Sequence, residues 1–343
     1  MRAANLLGFT AEARDFFHFI RDTIDPKDGL QVMYSVDGGP VPEERILPHL
    51  KGYRGSLPVR IGNGAKDQIQ LDTAGALVDA AHLFEHFGGS LTLRAWRKIQ
   101  HVIEKVSHQW RDPDHGIWEP RAGKRHNVHS KMMCWLALDR GAGIASVFGA
   151  TDARDAWESA AAAVVDEVCA RGLDSEGRHF VAAYGHDHAD AALLLLPIHG
   201  FLPDDHPLMH ETVDWVRKEL GTGPFVHRYR TDDGVGGARA PSSSAASGSP
   251  RPSPCRAASK GPRIFAAHAE SSNHLGLLAG SSTPPPRAAR QLPPGLQPPR
   301  PHQRGPPHRS RPPPARRGHR QDSPPHHDAP ASRGPRSLTL PGP

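Results

Sequence analysis

A tryptophan beside a glutamate is the first feature of this sequence that could do chemistry. Residues 114–121 read Asp-His-Gly-Ile-Trp-Glu-Pro-Arg, so Trp118 directly precedes Glu119, and Pro120 follows. An indole ring can cover the face of a sugar, and its apolar body can raise the pKa of a carboxyl group beside it. Pro120 disfavours helix at Glu119 and holds that carboxylate in an extended or turn backbone. The pattern is typical of a carbohydrate site, and the alternative is a surface loop with a solvated acid.

Helical periodicity dominates the elements that must position this segment. Apolar residues recur at three- and four-residue steps in two stretches: Trp96, Ile99, Val102, Ile103 and Val106, and then Trp157, Ala161, Val164, Val165 and Val168. Similar stretches span about 11–24, 71–87, 129–140, 188–196 and 207–220. Convincing period-2 alternation is absent, so we predict an all-α body of about seven helices. The connections 28–68 and 111–128 exceed usual loop lengths and are candidate site loops.

Three further stretches carry motifs in a fixed order and spacing. They are "LQVMYSVDGGPVPEERILPHLKGYRGSLPVRIGNGAKDQIQLD" (30–72), "GIWEPRAGKRHNVHSKMMCWLALDR" (116–140) and "DAALLLLPIHGFLPDDHP" (190–207). With them, about residues 5–237 resemble glycoside hydrolase family 15, which contains bacterial glucoamylases and trehalases. The resemblance implies a six-hairpin (α/α)6 barrel, whose active site lies at the mouth in loops that join outer to inner helices.

The resemblance also implies the chemistry and the residues that perform it. Family members hydrolyse α-glucosides with inversion, using a general acid, a general base and no cofactor or metal. The acid follows the tryptophan of the "GIWE" motif, which assigns it to Glu119. Arg60, Trp118 and Lys131 fall on motif positions that line the glucose pocket, and Arg228 in "HRYR" resembles a further binding arginine. The alternatives are surface charges for Arg60 and Lys131 and a core position for Trp118.

The sequence departs from the family pattern at both ends of the resemblance. The family segment "WxYRYxWxRDA", whose Arg and Asp grip the terminal glucose, would end just before Met1, so we expect those ligands to be absent. After Asp233 and Gly234 the family continues "LPGGEGAFLLCSFWL", whereas this chain reads "VGGARAPSSSAASGS". Family codons read one base late give residues 238–248. "NFPQAFSHLALINA" read in the remaining frame gives residues 291–304. We therefore interpret residues 238–343 as out-of-frame translation.

Composition divides the chain at the same point. Residues 238–343 hold 24 of the 35 prolines, 16 Lys and Arg against 3 acidic residues, and one aromatic side chain, Phe265. Such a segment buries too little apolar surface to offset its ordering entropy. We predict a partial barrel over 1–237 and a disordered Pro/Arg-rich tail over 238–343. The family's general base falls within the altered segment, where Glu270 is the only glutamate. We therefore expect trace activity at most.

Several other classes of protein find little support. No apolar run approaches the ~20 residues that span a membrane, the N-terminus lacks a secretion signal, and three scattered cysteines form no disulfide framework or zinc spacing. We expect a soluble cytoplasmic protein. Three alternatives remain: a nucleic-acid-binding basic tail, an inactive structural remnant of the hydrolase, and a metal site formed by His179, His186 and His188 or by His126 and His129. The choice between trehalose and malto-oligosaccharides stays open, as does the oligomeric state.

Overall fold

Helices form most of the regular structure in the described part of the chain, which confirms the predicted all-α fold class. The computed structural model describes residues 1, 4–5, 7–24, 30–52, 55, 57–120, 123–223 and 225–231. The chain divides into a unit of residues 1–284 and a unit of residues 285–343. The second unit lies outside the described residues, as does the whole predicted tail of residues 238–343.

Seven α-helices and four short strands lie within the described residues. The helices are α1 (Thr10–Thr23), α2 (Asp72–His86), α3 (Leu93–Gln109), α4 (Val128–Val147), α5 (Thr151–Arg171), α6 (Leu195–His199) and α7 (Pro207–Leu220). A 3-10 turn, Ala191–Leu194, leads directly into α6. Antiparallel ladders pair β1 (Arg45–Ile46) with β2 (Arg60–Ile61) and β3 (Gly221–Thr222) with β4 (Phe225–Val226). Strands of two residues are too short to produce alternation in the sequence, so the all-α prediction missed them.

Helix α4 lies at the centre of the core. Fifteen of its 20 residues are buried, so it is covered on all sides. Its neighbour α2 packs directly against it. The backbones of the two helices approach closely at Gly75, where a β-carbon would overlap the carbonyl oxygen of Met133. A glycine is therefore required at this crossing.

The other long helices bury one face only. In α3 and α5, the predicted apolar stripes are buried except for Val165, which is half-buried, so the periodicity identified the face of each helix as well as the helix itself. Thr92 caps α3, because its hydroxyl accepts a hydrogen bond of 3.2 Å from the Ala95 amide. These helices form the outer layer around α2 and α4.

Long and short connections alternate along the chain. Three short connections of 6, 3 and 7 residues (87–92, 148–150 and 200–206) join an inner helix to the next outer helix. Three long connections of 48, 18 and 19 residues (24–71, 110–127 and 172–190) lead from an outer helix to the next inner segment. This is the arrangement of an (α/α)6 barrel, of which the described helices form a part. None of these helices is both long and apolar enough to cross a membrane.

Candidate active site

The connection 110–127 is fixed at its base by Asp114. This buried carboxylate accepts hydrogen bonds from the Leu71 amide (3.0 Å) and from the Asn127 side chain (2.8 Å). The backbone of Asp114 also pairs with that of Arg125, at 2.9 and 2.8 Å. Leu71 precedes α2 and Asn127 precedes α4. Asp114 therefore ties the connection to the starts of both inner helices.

Glu119 lies in a strained turn at the tip of this connection. Its φ of 52° makes it the only residue other than glycine with a positive φ in the described part of the chain. This left-handed conformation costs roughly 1–2 kcal/mol for a residue with a β-carbon, and such strain concentrates at functional sites. The observation agrees with the turn backbone that Pro120 predicts.

The Glu119 carboxylate contacts the first long connection. The Asn63 side chain donates a hydrogen bond of 3.2 Å to Oε2 of Glu119. Next to it, the Gln68 side chain donates a hydrogen bond of 2.9 Å to the Pro120 carbonyl. Residues 24–71 and 110–127 therefore meet at Glu119, although 56 positions separate Glu119 from Asn63.

The Trp118 side chain contacts a different connection. Its indole N–H donates a hydrogen bond of 2.7 Å to Oδ1 of Asp190, which also accepts one of 2.7 Å from the Ala192 amide. Burial raises the pKa of Asp190 to about 6, against the opposing effect of these two hydrogen bonds. The Arg228 guanidinium carbon lies 5.1 Å from the centre of the Trp118 ring, within the range of a cation–π contact.

A cavity opens on the Trp118 side of the turn. About 690 Å³ of empty space lies within it and in the solvent at its open mouth. The side chains that matter to its chemistry are Trp118, Arg125, His129, Ser130, His188, Asp190 and Tyr229. Aromatic rings and hydrogen-bonding groups thus surround the same space, as a sugar-binding site requires.

Comparison with known proteins identifies the family and the fold of this chain. The model described as "Glycosyl hydrolases family 15" matches residues 1–250. The chain belongs to this family. A solved structure of a wild-type glycosidase superposes with a TM-score of 0.52 at 20% identity, covering 66% of this chain and 62% of that one. This likeness supports the six-hairpin fold.

Among curated proteins, trehalases are similar to this family 15 chain. The trehalase of Mycolicibacterium smegmatis is 40% identical over 238 residues, which are 67% of this chain and 36% of the relative. The trehalase of Thermoplasma volcanium is 37% identical over 238 residues, or 69% of this chain and 38% of the relative. The chain thus spans little more than a third of the length of these relatives.

The predicted site residues of this family 15 chain fall into two groups. Trp118 lines the cavity, Glu119 lies beside it in the same turn, and Arg228 contacts the Trp118 ring without itself lining the cavity. Arg60 lies in β2, where it forms an ion pair of 3.4 Å with Glu44, and the connection that holds both supplies Asn63 to Glu119. The structure does not bring Arg60 to the residues that line the cavity.

Lys131 is buried beneath the site instead of lining the cavity. Its ammonium donates hydrogen bonds of 2.5 Å to the carbonyls of Trp110 and Asp112, and burial lowers its pKa. These contacts tie α4 to the start of the connection 110–127. In this structure Lys131 therefore holds the loop that carries Glu119, and does not face the space beside Trp118.

Sequence reasoning missed several residues of this site. Asp190 opens the third family-like stretch. An aspartate just before a helical segment is a typical N-cap, so its position could have indicated that its carboxylate is held at the start of that segment. His129 was considered only as a metal ligand with His126, and Ser130 was noticed only within a motif, because nothing local indicates that these residues line a cavity. Within the described residues, no group of three or more His, Cys, Asp or Glu side chains could hold a metal ion, so the histidine clusters gain no support as a metal site.

Proposed function

We propose that this chain derives from a glycoside hydrolase that acts on an α-glucoside, with trehalose as the first candidate substrate. Glu119 is its general acid, and Trp118 and Arg228 bind the sugar. The observation that carries the proposal is the left-handed turn at Glu119, which holds a carboxylate beside a tryptophan at the edge of a cavity. The similarity to curated trehalases supports trehalose over other α-glucosides.

The reaction is inverting hydrolysis. Glu119 protonates the glycosidic oxygen of the leaving group while a second carboxylate removes a proton from the attacking water on the opposite face of the sugar. The two carboxyl groups of an inverting pair lie ~6.5–9.5 Å apart, which leaves room for that water. The Asn63 amide holds the Glu119 side chain in one orientation through its hydrogen bond to Oε2. That bond leaves the other carboxyl oxygen for the transferable proton.

The domain boundary near residue 237 belongs to the same proposal. Residues 1–237 form the hydrolase part, and residues 238–343 are an out-of-frame tail that lies outside the described residues. The family's base would fall within that tail, where Glu270 is the only glutamate. Without a base, the chain activates no water, and positioned general acids and bases typically contribute ~10²–10⁴-fold each. We therefore propose trace activity for the chain as it stands.

The test is glucose release from trehalose, maltose and p-nitrophenyl α-glucoside by the purified chain beside its Glu119→Gln variant. We expect trace release by the chain and none above background by the variant. Robust turnover by the chain that is lost in Glu119→Gln would contradict the proposed loss of the base and would support Glu119 as the acid. Robust turnover that Glu119→Gln leaves intact would contradict the acid. For any activity, NMR of the first-formed glucose anomer distinguishes inversion from retention.

A further inference from the structure

The turn that begins at Asp190 contacts both residues that the proposed function assigns to sugar binding. Oδ1 of Asp190 accepts a hydrogen bond of 2.7 Å from the indole N–H of Trp118. The next residue, Ala191, donates a hydrogen bond of 2.9 Å from its amide to the Arg228 carbonyl. Two consecutive residues of one turn therefore fix Trp118 by its side chain and Arg228 by its backbone.

The contacts of the Trp118 ring differ in how strictly they set its orientation. The Arg228 guanidinium carbon lies 5.1 Å from the ring centre, and the centre of the Tyr229 ring lies 6.4 Å away. Contacts of this kind tolerate a rotation of the indole. The hydrogen bond to Asp190 does not, because its strength falls steeply when the N–H points away from the acceptor. Asp190 is therefore the contact that selects the rotamer of Trp118.

The Asp190 carboxylate is itself anchored, and its charge is not what stability alone would favour. Oδ1 also accepts a hydrogen bond of 2.7 Å from the Ala192 amide, which fixes the carboxylate to the backbone of the turn. Burial raises the pKa of Asp190 to about 6, so the folded state binds its proton more tightly than the unfolded state. The stabilisation from that proton is lost as pH rises through about 6. A serine cap would avoid this loss, but a charged oxygen bonds the indole N–H more strongly.

The orientation of the Trp118 ring bears on Glu119, which follows it directly in the chain. Trp118 lines the cavity, and the left-handed turn at Glu119 fixes the backbone between them. A sugar stacked on the indole is therefore placed relative to the Glu119 carboxylate by the angle of the ring. An indole that is free to turn must be ordered when the sugar binds, and this ordering weakens the affinity.

We propose that Asp190 is a positioning residue, which holds the Trp118 indole in the orientation that stacks on the substrate sugar. It acts through Trp118 and does not contact the substrate. The sugar-binding role of Trp118 rests on the proposed function, whereas the contact between Asp190 and Trp118 does not. The competing explanation is that Asp190 serves only as the cap of the 3-10 turn, through the Ala192 amide.

NMR of the tryptophan indole N–H groups in the intact chain tests the contact without any activity. The resonance that disappears in Trp118→Phe belongs to Trp118. At pH 8, Asp190→Ala and Asp190→Ser should move this resonance upfield and speed its exchange with water, because the acceptor is lost. Asp190→Asn should keep the exchange slow, because its amide oxygen still accepts a hydrogen bond. An unchanged Trp118 resonance in Asp190→Ala would overturn the proposal.

Kinetics separate positioning from capping, because serine keeps the cap and only asparagine keeps an acceptor within reach of the indole. The enzyme for this test has its frame repaired after Gly237 and the family's N-terminal glucose-binding segment restored. Asp190→Ala and Asp190→Ser should each raise the KM for trehalose roughly tenfold with little change in kcat, and Asp190→Asn should restore most of it. The matched control is Thr92→Ala, which removes the cap of α3 and should leave KM unchanged. An unchanged KM in Asp190→Ser would make Asp190 a cap only and overturn the proposal.

A double-mutant cycle determines whether Asp190 acts through Trp118. Trp118→Phe keeps an aromatic ring without the N–H, so adding Asp190→Ala to it should raise KM no further. A further rise of roughly tenfold would mean that Asp190 contacts the substrate itself, and would overturn the proposal. Circular dichroism and melting curves identify any variant that has not folded.

The outcomes distinguish this proposal from the proposed function. If the repaired enzyme hydrolyses trehalose with the same KM in Asp190→Ala, the positioning role fails and the hydrolase stands. If the Trp118 resonance depends on Asp190 as expected while the repaired enzyme is inert, the contact stands and the proposed function fails.

Discussion

At the scale of single residues, the two neighbouring buried carboxyl groups of Asp114 and Asp72 differ in their hydrogen bonding. The buried carboxylate of Asp114 accepts two hydrogen bonds, one from the Leu71 amide and one from the Asn127 side chain. By contrast, Oδ1 of its neighbour Asp72 is buried without a hydrogen-bond partner. Burial and the negative charge of Asp114 raise the pKa of Asp72 to about 7. Asp72 is therefore protonated in the folded protein over a range in which the unfolded chain releases its proton.

This difference predicts a pH dependence of stability. The folded state binds the proton of Asp72 more tightly than the unfolded state, so its stabilisation is complete below about pH 4 and is lost as pH rises through about 7. Asp72→Asn mimics the protonated form. Between pH 5 and pH 8, the unfolding free energy of the unaltered chain should fall more than that of the variant, by roughly 2–4 kcal/mol. Urea denaturation at both pH values measures this, and equal declines would refute it.

At Glu119, the left-handed turn should make a glycine variant more stable than an alanine variant, which is the reverse of the order expected within a helix. Both Glu119→Gly and Glu119→Ala lose the carboxylate, but only alanine keeps a β-carbon in the left-handed conformation. Glu119→Gly should therefore be more stable than Glu119→Ala by about 1 kcal/mol. The control is exposed Glu158 in α5, where glycine should be the less stable by about 1 kcal/mol. Urea denaturation of the four variants decides it, and the same order at both positions would exclude strain at Glu119.

At the scale of elements, the inner helices hold the site and depend on close backbone contact. Helices α2 and α4 meet at Gly75, and their starts are tied together through Asp114. A shift between the two helices would move the connection 110–127 and with it Trp118 and Glu119. The helix crossing is thus part of what positions the site.

Two glycine-to-alanine substitutions test this crossing. Gly75→Ala should destabilise the fold by about 1–3 kcal/mol, because its β-carbon meets the Met133 carbonyl and forces the helices apart. Gly143→Ala on α4 points into open space, and it should stabilise the fold by up to about 1 kcal/mol through helix propensity. Thermal melting of both variants measures the difference. Similar shifts in the two would mean that α2 and α4 do not pack at Gly75.

Some elements could be predicted from the sequence and others could not, for physical reasons. One-sided helices such as α3 and α5 leave a clear apolar period, so their buried faces were predicted. Helix α4 was predicted to end at residue 140, but it runs to Val147. A helix that is buried on all sides has no apolar periodicity from which its end could be predicted. The segment 188–196 was predicted as one helix and is instead a 3-10 turn followed by α6. Asp190 begins that turn as its cap.

At the scale of the whole molecule, the site forms where connections distant in sequence meet. The indole of Trp118 bonds a residue 72 positions later, and Glu119 bonds one 56 positions earlier. Periodicity carries no information on such pairs. The family-like motifs indicated Trp118, Glu119 and Arg228, but not that Lys131 lies buried under the loop or that Asp190, His129 and Ser130 share the cavity. The predicted tail of residues 238–343 lies outside the described residues.

The role of Glu119 as general acid is the central claim, and leaving-group dependence tests it most directly. With the reading frame after Gly237 repaired and the family's N-terminal glucose-binding segment restored, hydrolysis of trehalose and of 2,4-dinitrophenyl α-glucoside should be compared in the enzyme and in Glu119→Gln. Trehalose has a poor leaving group that needs a proton, so its hydrolysis should fall ~10²–10⁴-fold in the variant. Dinitrophenolate leaves without a proton, so its release should fall far less. Equal losses for the two substrates, or no loss for trehalose, would contradict the assignment of Glu119 as the acid.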